Sequence, residues 1–156
     1  MIIEYAMVHD NVHPPTRANP SDAGLDIYYS DPNPEQTAVI APNETILLPT
    51  GLRFGIPHGY MLQVMNRSSV ASKRHLLVGA CVIDSGYDGE VFINLHNVGS
   101  EDQVMKHGDK IAQIVMMPVV HFKAYHRHDG DLYSYPITMS DRGTGALGST
   151  DLQIAL

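Results

Sequence analysis

The chain is short of everything that would mark it for secretion or for a membrane. It has a single cysteine, Cys81, so no internal disulfide can form, which suits a reducing compartment. A small buried hydrophobe is the expected role of that residue. No run of about eighteen apolar residues exists to cross a bilayer as a helix. The opening Met1-Ile2-Ile3-Glu4 lacks the basic-then-apolar layout of a signal peptide, so a cytoplasmic protein is expected. Positive charge is scarce as well: ten Lys and Arg against seventeen Asp and Glu leave a net charge of −7. That balance argues against a protein that coats nucleic acid. One small phosphate ligand stays open, since a few placed arginines and backbone amides can hold it.

Helical periodicity is nearly absent, and short apolar or alternating runs dominate instead. The 156 residues, 44% apolar, suffice for one domain with a real core. Candidate strands are Ile2–Met7, Ala38–Ile40, Thr45–Leu48, Leu52–Gly55, Tyr60–Val64, Leu76–Val78, Glu90–Asn94 and Ile111–Val120. Their spacing, and breakers such as Pro32-Asn33-Pro34, Pro49-Thr50-Gly51 and Pro57-His58-Gly59, predict an all-β sandwich or barrel. One short helix is expected after Arg67-Ser68-Ser69, through Val70–Lys73, with a serine as N-cap. The segment 121–141 is polar, with Tyr125, Tyr133 and Tyr135, and is expected to cross the surface to an edge or to a neighbouring subunit. It belongs to a β domain over residues 1–141, and 142–156 forms a flexible Gly-rich arm. His121, His126 and His128 make a loose cluster without cysteine partners, a weak basis for zinc.

Several short motifs carry chemistry, and each has an ordinary alternative. The stretch Val82-Ile83-Asp84-Ser85-Gly86-Tyr87-Asp88-Gly89-Glu90-Val91 reads as strand, tight turn, strand. An ionised Asp84 could orient and deprotonate a water, and Tyr87 could lie against a sugar. Equally, Asp84 could cap the turn and Tyr87 pack in the core. Asn66-Arg67-Ser68-Ser69 at a strand-to-helix junction could bind an anion, or could be a cap with a surface arginine. Ala23-Gly24-Leu25-Asp26-Ile27 and Gly108-Asp109-Lys110-Ile111-Ala112-Gln113 could be plain turns leading into strands. Arg142-Gly143-Thr144-Gly145-Ala146-Leu147-Gly148-Ser149-Thr150 could wrap a phosphate chain with backbone amides, or simply be a disordered end.

Taken together and in order, these five segments resemble the five motifs of the trimeric dUTPase family, spanning residues 23 to 150. The resemblance implies a jelly-roll-like β-barrel, a homotrimer with active sites at its subunit interfaces, and a C-terminal arm that closes over substrate. It implies hydrolysis of dUTP to dUMP and pyrophosphate, which keeps uracil out of DNA and supplies dUMP. Asp84 would then activate the water that attacks the α-phosphate, and Tyr87 would exclude a 2′-hydroxyl. Backbone groups near Val78, Val82 and Ile83 would read the uracil edge. Arg67, Ser68, Ser69 and Gln113 would hold phosphate oxygens, joined from the arm by Arg142, Gly148 and Ser149. A Mg²⁺ held mainly by the phosphates is expected, with Asp26 touching it through water.

Four departures from the family pattern stand out. Cys81 replaces a glycine of the uracil hairpin, and Leu147 replaces the aromatic that stacks over uracil, a loss of about 1 kcal/mol in closure. Asn66 replaces a proline and Asp151 a glycine. The nearest rival is a dCTP deaminase, or a bifunctional deaminase–dUTPase, which shares the fold. Its water-activating glutamate has Asn94 at the equivalent position here, and an amide cannot take that proton. A rival of another class is a non-catalytic nucleotide-sensing barrel acting through a protein partner. A bare jelly-roll interaction domain leaves the five ordered motifs unexplained.

Overall fold

A computed structural model describes residues 1–133. The expected lid arm, with Arg142, Leu147, Gly148 and Ser149, and Tyr135 of the polar segment lie outside the described residues. The chain divides into a compact unit, Met1–His121, and a second unit beginning at Phe122. In the second, Arg127 pairs with Asp129 at 2.6 Å, and the His126 and His128 rings meet edge to face.

The first unit is nearly all β, as expected for a jelly-roll-like fold. Its strands among the described residues are β1 (Glu4–Met7), β2 (Leu25–Tyr28), β3 (Thr37–Ile40), β4 (Thr45–Pro49), β5 (Leu52–Gly55) and β6 (Tyr60–Met65). After helix α1 (Ser68–Arg74) come β7 (Leu76–Val78), β8 (Val82–Ile83), β9 (Phe92–Asn97), β10 (Gln103–Lys106) and β11 (Lys110–Pro118). Every ladder is antiparallel. They form four sheets, β1-β5, β10-β3, β2-β11-β6-β8 and β4-β9-β7, and no continuous ladder closes among the described residues.

Alternation along the strands explains the core. Ile27, Ile40, Leu48, Leu52, Leu76, Ile93, Leu95, Met105 and Ile111 are almost fully buried and most of their neighbours are more exposed, with Ala112, buried beside Ile111 at the irregular start of β11, an exception. Truncating one such Leu or Ile to Ala would cost about 2–5 kcal/mol. Asn97 is buried among them with its amide satisfied: Nδ2 donates to the Ile40 and Glu101 carbonyls, and Oδ1 accepts from Gly99 N–H. A buried polar group so paired fixes one geometry for the β9 end without an unmet hydrogen bond.

Three expectations are corrected. The helix N-cap is Arg67, not a serine, and it makes no side-chain cap bond; Ser68 already lies inside the helix. The helix ends at His75, whose left-handed backbone (φ 53°) lets its N–H bond the Val70 carbonyl. Cys81 is exposed rather than buried, because it lies in the connection between β7 and β8, and its carbonyl accepts from Val64 N–H at 2.8 Å. Finally, β9 starts at Phe92: just before it the Val91 N–H donates to the Leu52 carbonyl, and the Glu90 carboxylate accepts from the Gly51 N–H at 2.8 Å.

Candidate functional site

Sheet order brings three of the motifs side by side. β11 carries Gln113 and lies between β2, which carries Asp26, and β6, which leads into Asn66 and Arg67. Gln113 is level with Asp26 on one side and Met65 on the other. Its Nε2 donates to the Asn66 carbonyl at 2.9 Å, and its amide oxygen presses against Gly24. A Cβ at position 24 would come within 2.3 Å of that oxygen, so a larger residue there would have to displace the Gln113 side chain.

A charge cluster forms on this platform. Asp26 accepts from Arg67 Nε at 2.7 Å and from Lys110 Nζ at 2.8 Å. A register shift between Lys110 and Ala112 puts a bulge at the start of β11, and such a bulge re-aims the adjoining side chain. The bonded carboxylate holds the Lys110 ammonium above the ordinary lysine range. Arg67 keeps its remaining guanidinium donors, since a fork of five uses one here. Beside the cluster opens a cavity of about 270 Å³ lined by Arg67, Ser69, Val70, Lys73, Arg74, Asp109 and Lys110. Arg74 is braced in its wall by Asp109 at 3.3 Å and by the Val104 carbonyl. Four cations face this cradle against Asp109 and, behind them, Asp26, so it attracts anions. Ser69 lines it, while Ser68 is exposed nearby and is absent from the lining.

The Asp84 turn builds a second cavity, about 210 Å³, lined by Val82, Ile83, Asp84, Tyr87, Glu90, Val91 and Phe92. Tyr87 N–H bonds the Asp84 carbonyl at 3.2 Å, and Gly86 holds φ +89° at the third position. That is the type II requirement, which a residue with a Cβ meets only under strain. Tyr87 is half exposed instead of packed in the core, and its hydroxyl donates to the Glu90 carbonyl at 2.9 Å. The two carboxylates of the cleft differ. Glu90 is spent on Gly51 N–H, whereas the Asp84 side chain takes part in no hydrogen bond or ion pair among the described residues and is exposed to the cleft. A carboxylate left free in a cleft can orient a water and accept its proton.

Val78 stands apart from this cleft. Its N–H is already taken by Asn66 Oδ1 at 2.7 Å, so that amide has no free donor for a ligand. Asn66 therefore fastens the segment leading into α1 to the end of β7. Lys73, Arg74, Lys110 and Glu90 were not singled out from the sequence; two basic residues in the last helical turn were the available signal for the first pair. His121 stacks on His58 with ring centroids 4.9 Å apart. No group of three His, Cys, Asp or Glu suited to a metal occurs among the described residues.

A jelly-roll-like β fold bearing a cationic cradle and a separate carboxylate–aromatic cleft defines a small β protein built for a phosphorylated ligand. Comparison with known proteins narrows the class. The family model for dUTPase matches residues 10–150. The deoxyuridine 5'-triphosphate nucleotidohydrolase of Anaplasma marginale is 35% identical over 142 residues, covering 87% of each chain. That of Desulfitobacterium hafniense is 39% identical over 140 residues, covering 87% of this chain and 85% of the relative. The chain belongs to the dUTPase family. Among solved structures, a Staphylococcus bacteriophage 80alpha dUTPase variant with dUpNHpp superposes with a TM-score of 0.81 at 24% identity, covering 96% of this chain and 98% of that one. A dUTPase variant from phage phi11 of S. aureus, described with a structural Mg(II) ion, gives 0.74 at 25% identity, covering 82% and 97%.

Proposed function

We propose that this chain hydrolyses dUTP to dUMP and pyrophosphate, with Asp84 directing a water at the α-phosphate. The observation that carries the reading is the unequal pair in the cleft: Glu90 is tied to the backbone and Asp84 is not. The free carboxylate orients the water in line with the phosphorus and takes its proton as the bond forms. Tyr87 presents its ring to the deoxyribose and leaves no room for a 2′-hydroxyl. Uracil is read by backbone groups at Val82 and Ile83, which line the cleft. Val78 contributes by shaping the hairpin, since its N–H is engaged.

The triphosphate tail belongs in the cradle that Arg67 and Ser69 line, with Ser68 exposed beside it, Gln113 steadying the Asn66 carbonyl, and Arg142, Leu147, Gly148 and Ser149 of the arm completing the site. Supporting this, Arg67 and Ser69 line a cavity rich in cations. Cleft and cradle share no lining residue, which favours a homotrimer whose sites join the cleft of one protomer to the cradle of another. The donor set fits Mg²⁺ held mainly by phosphate oxygens: the described residues offer no three-ligand cage, and Asp26, bonded to two cations, suits a contact through water. Bound there, the ion would offset charge on the phosphates. A cytoplasmic setting suits a single-cysteine chain.

The test is Asp84→Asn. Pyrophosphate release from dUTP with Mg²⁺ should fall by about three orders of magnitude or more, while a non-hydrolysable dUTP analogue still binds. Turnover within tenfold of the parent would remove Asp84 from this role. Release of no pyrophosphate by the parent protein itself would favour the nucleotide-sensing alternative.

A further inference from the structure

The turn bearing Asp84 and Tyr87 is fastened to β5 and its flanks by residues outside the motifs. At its start, Ser85 Oγ donates to the Ile56 carbonyl at 2.9 Å. At its end, Val91 N–H donates to the Leu52 carbonyl at 2.8 Å and Glu90 accepts from Gly51. Between these points lies Asp88, next in sequence to Tyr87, with a side chain 86% exposed. Arg53 grips it twice. Its Nε donates to the Asp88 backbone carbonyl at 2.8 Å, and a second guanidinium nitrogen pairs with the Asp88 carboxylate.

The base of that grip is rigid. Arg53 pairs with Ala6 in the β1-β5 ladder, between buried Leu52 and Phe54. A planar guanidinium anchored this way fixes a direction as well as a distance. An exposed ion pair adds little to global stability, so the consequence of the grip is local. It sets the path of the Tyr87–Gly89 backbone, and so the place of the Tyr87 ring.

We propose that Arg53 is a positioning residue that sets sugar discrimination through Asp88 and Tyr87. The inference rests on dUTP being the substrate. Without the grip, the ring loses its fixed position, and a 2′-hydroxyl meets a wall that can yield. Misplacement by about 1 Å at a reacting site can cost up to a hundredfold, and here the ring also keeps its own bond to the Glu90 carbonyl. A smaller effect follows.

The experiment compares full-length wild type, Arg53→Ala and Asp88→Asn. Three quantities are read: kcat/KM for dUTP and for UTP, melting temperature, and hydrogen exchange of the peptide covering residues 84–91. Arg53→Ala should lower the dUTP-to-UTP ratio of kcat/KM about 5- to 20-fold and speed exchange at Tyr87, with melting within about 2 °C of wild type. Asp88→Asn keeps the carbonyl bond and should lose less. A ratio and exchange rates within twofold of wild type in Arg53→Ala would overturn the proposal, as would a larger loss in Asp88→Asn. Wild-type protein inert toward dUTP would defeat the functional reading instead, and the exchange measurement would still decide whether Arg53 holds the turn.

Discussion

Replacing Asp26 by asparagine keeps the shape of the side chain and removes the negative charge that Arg67 and Lys110 share. The two cations approach its oxygens at 2.7 and 2.8 Å, so they stand at most about 8 Å apart. At effective dielectrics from partly buried protein to water, unit charges at that separation repel by about 0.5–2 kcal/mol. That repulsion is present in the parent too, where Asp26 offsets it, so the variant loses the two attractions, about 1 kcal/mol each after discounting for Arg67 and Lys110 side chains 25% and 36% exposed. A total near 2 kcal/mol corresponds to about 4–8 °C in melting temperature for a chain of this size. The assay is thermal unfolding at fixed protein concentration, with chelator present, in low salt and then in about 0.5 M NaCl, where the Debye length shrinks to a few ångströms. The deficit should shrink by half or more in high salt. Inorganic pyrophosphate should raise the melting point of the variant more than that of the parent, because the bare cations recruit an anion. A variant that melts within 1 °C of the parent in both salts would refute the charge cluster as described.

Two further outcomes are expected. Gly24→Ala should drive the Gln113 amide off the Asn66 carbonyl, costing about 1–2 kcal/mol and raising KM for dUTP more than it lowers kcat; steady-state kinetics with unchanged KM would count against the Gly24–Gln113 contact. His13 is held below the ordinary histidine range by burial, reinforced by His107 with ring centroids 4.8 Å away. The unfolded chain therefore takes up its proton near pH 6.5, and folded His13 does so only at lower pH. This contribution to stability is complete above that pH and is lost as the pH falls below it. Urea unfolding at pH 7.5 and 5.5 should show a smaller loss for His13→Phe than for the parent, and an equal or greater loss would reverse the assignment.

How far the sequence carries the reader differs from element to element. Leu52–Gly55 and Leu76–Val78 are legible because apolar runs stop at Gly or Pro, and both ends match the structure. Gln103–Lys106 is not, because Val104 faces out and Met105 faces in with nothing in their polarity to distinguish them. The acid and tyrosine of the tight turn could be picked out, since a turn announces itself locally. What Asp84 has and Glu90 lacks could not be, because freedom depends on Gly51 arriving from 39 positions away. The partners of Asp26 lie 41 and 84 residues distant. Spacing carries no information about pairs of that kind, which register alone creates. The N-cap failed for a simpler reason: Ser68 and Ser69 both qualify by type, and the backbone turns helical one residue before either could cap.

The distribution of charge fits the proposal that each site is completed by a second protomer. Asp84 and Glu90 make the cleft hostile to phosphates, and a tail projecting from a nucleotide seated there must find cations elsewhere. Arg67, Lys73, Arg74 and Lys110, four of the ten Lys and Arg in the chain, gather in the cradle. If each site joins the cleft of one protomer to the cradle of another, two inactive variants can rescue one another. Asp84→Asn spoils clefts and spares cradles, while Arg67→Ala does the reverse. Refolding them together in equal amounts assigns each cleft and each cradle at random, so about one site in four receives both intact parts. The mixture should recover about a quarter of wild-type activity, whereas either variant alone stays near background. A mixture no more active than its components would place cleft and cradle within one chain and end the interfacial reading.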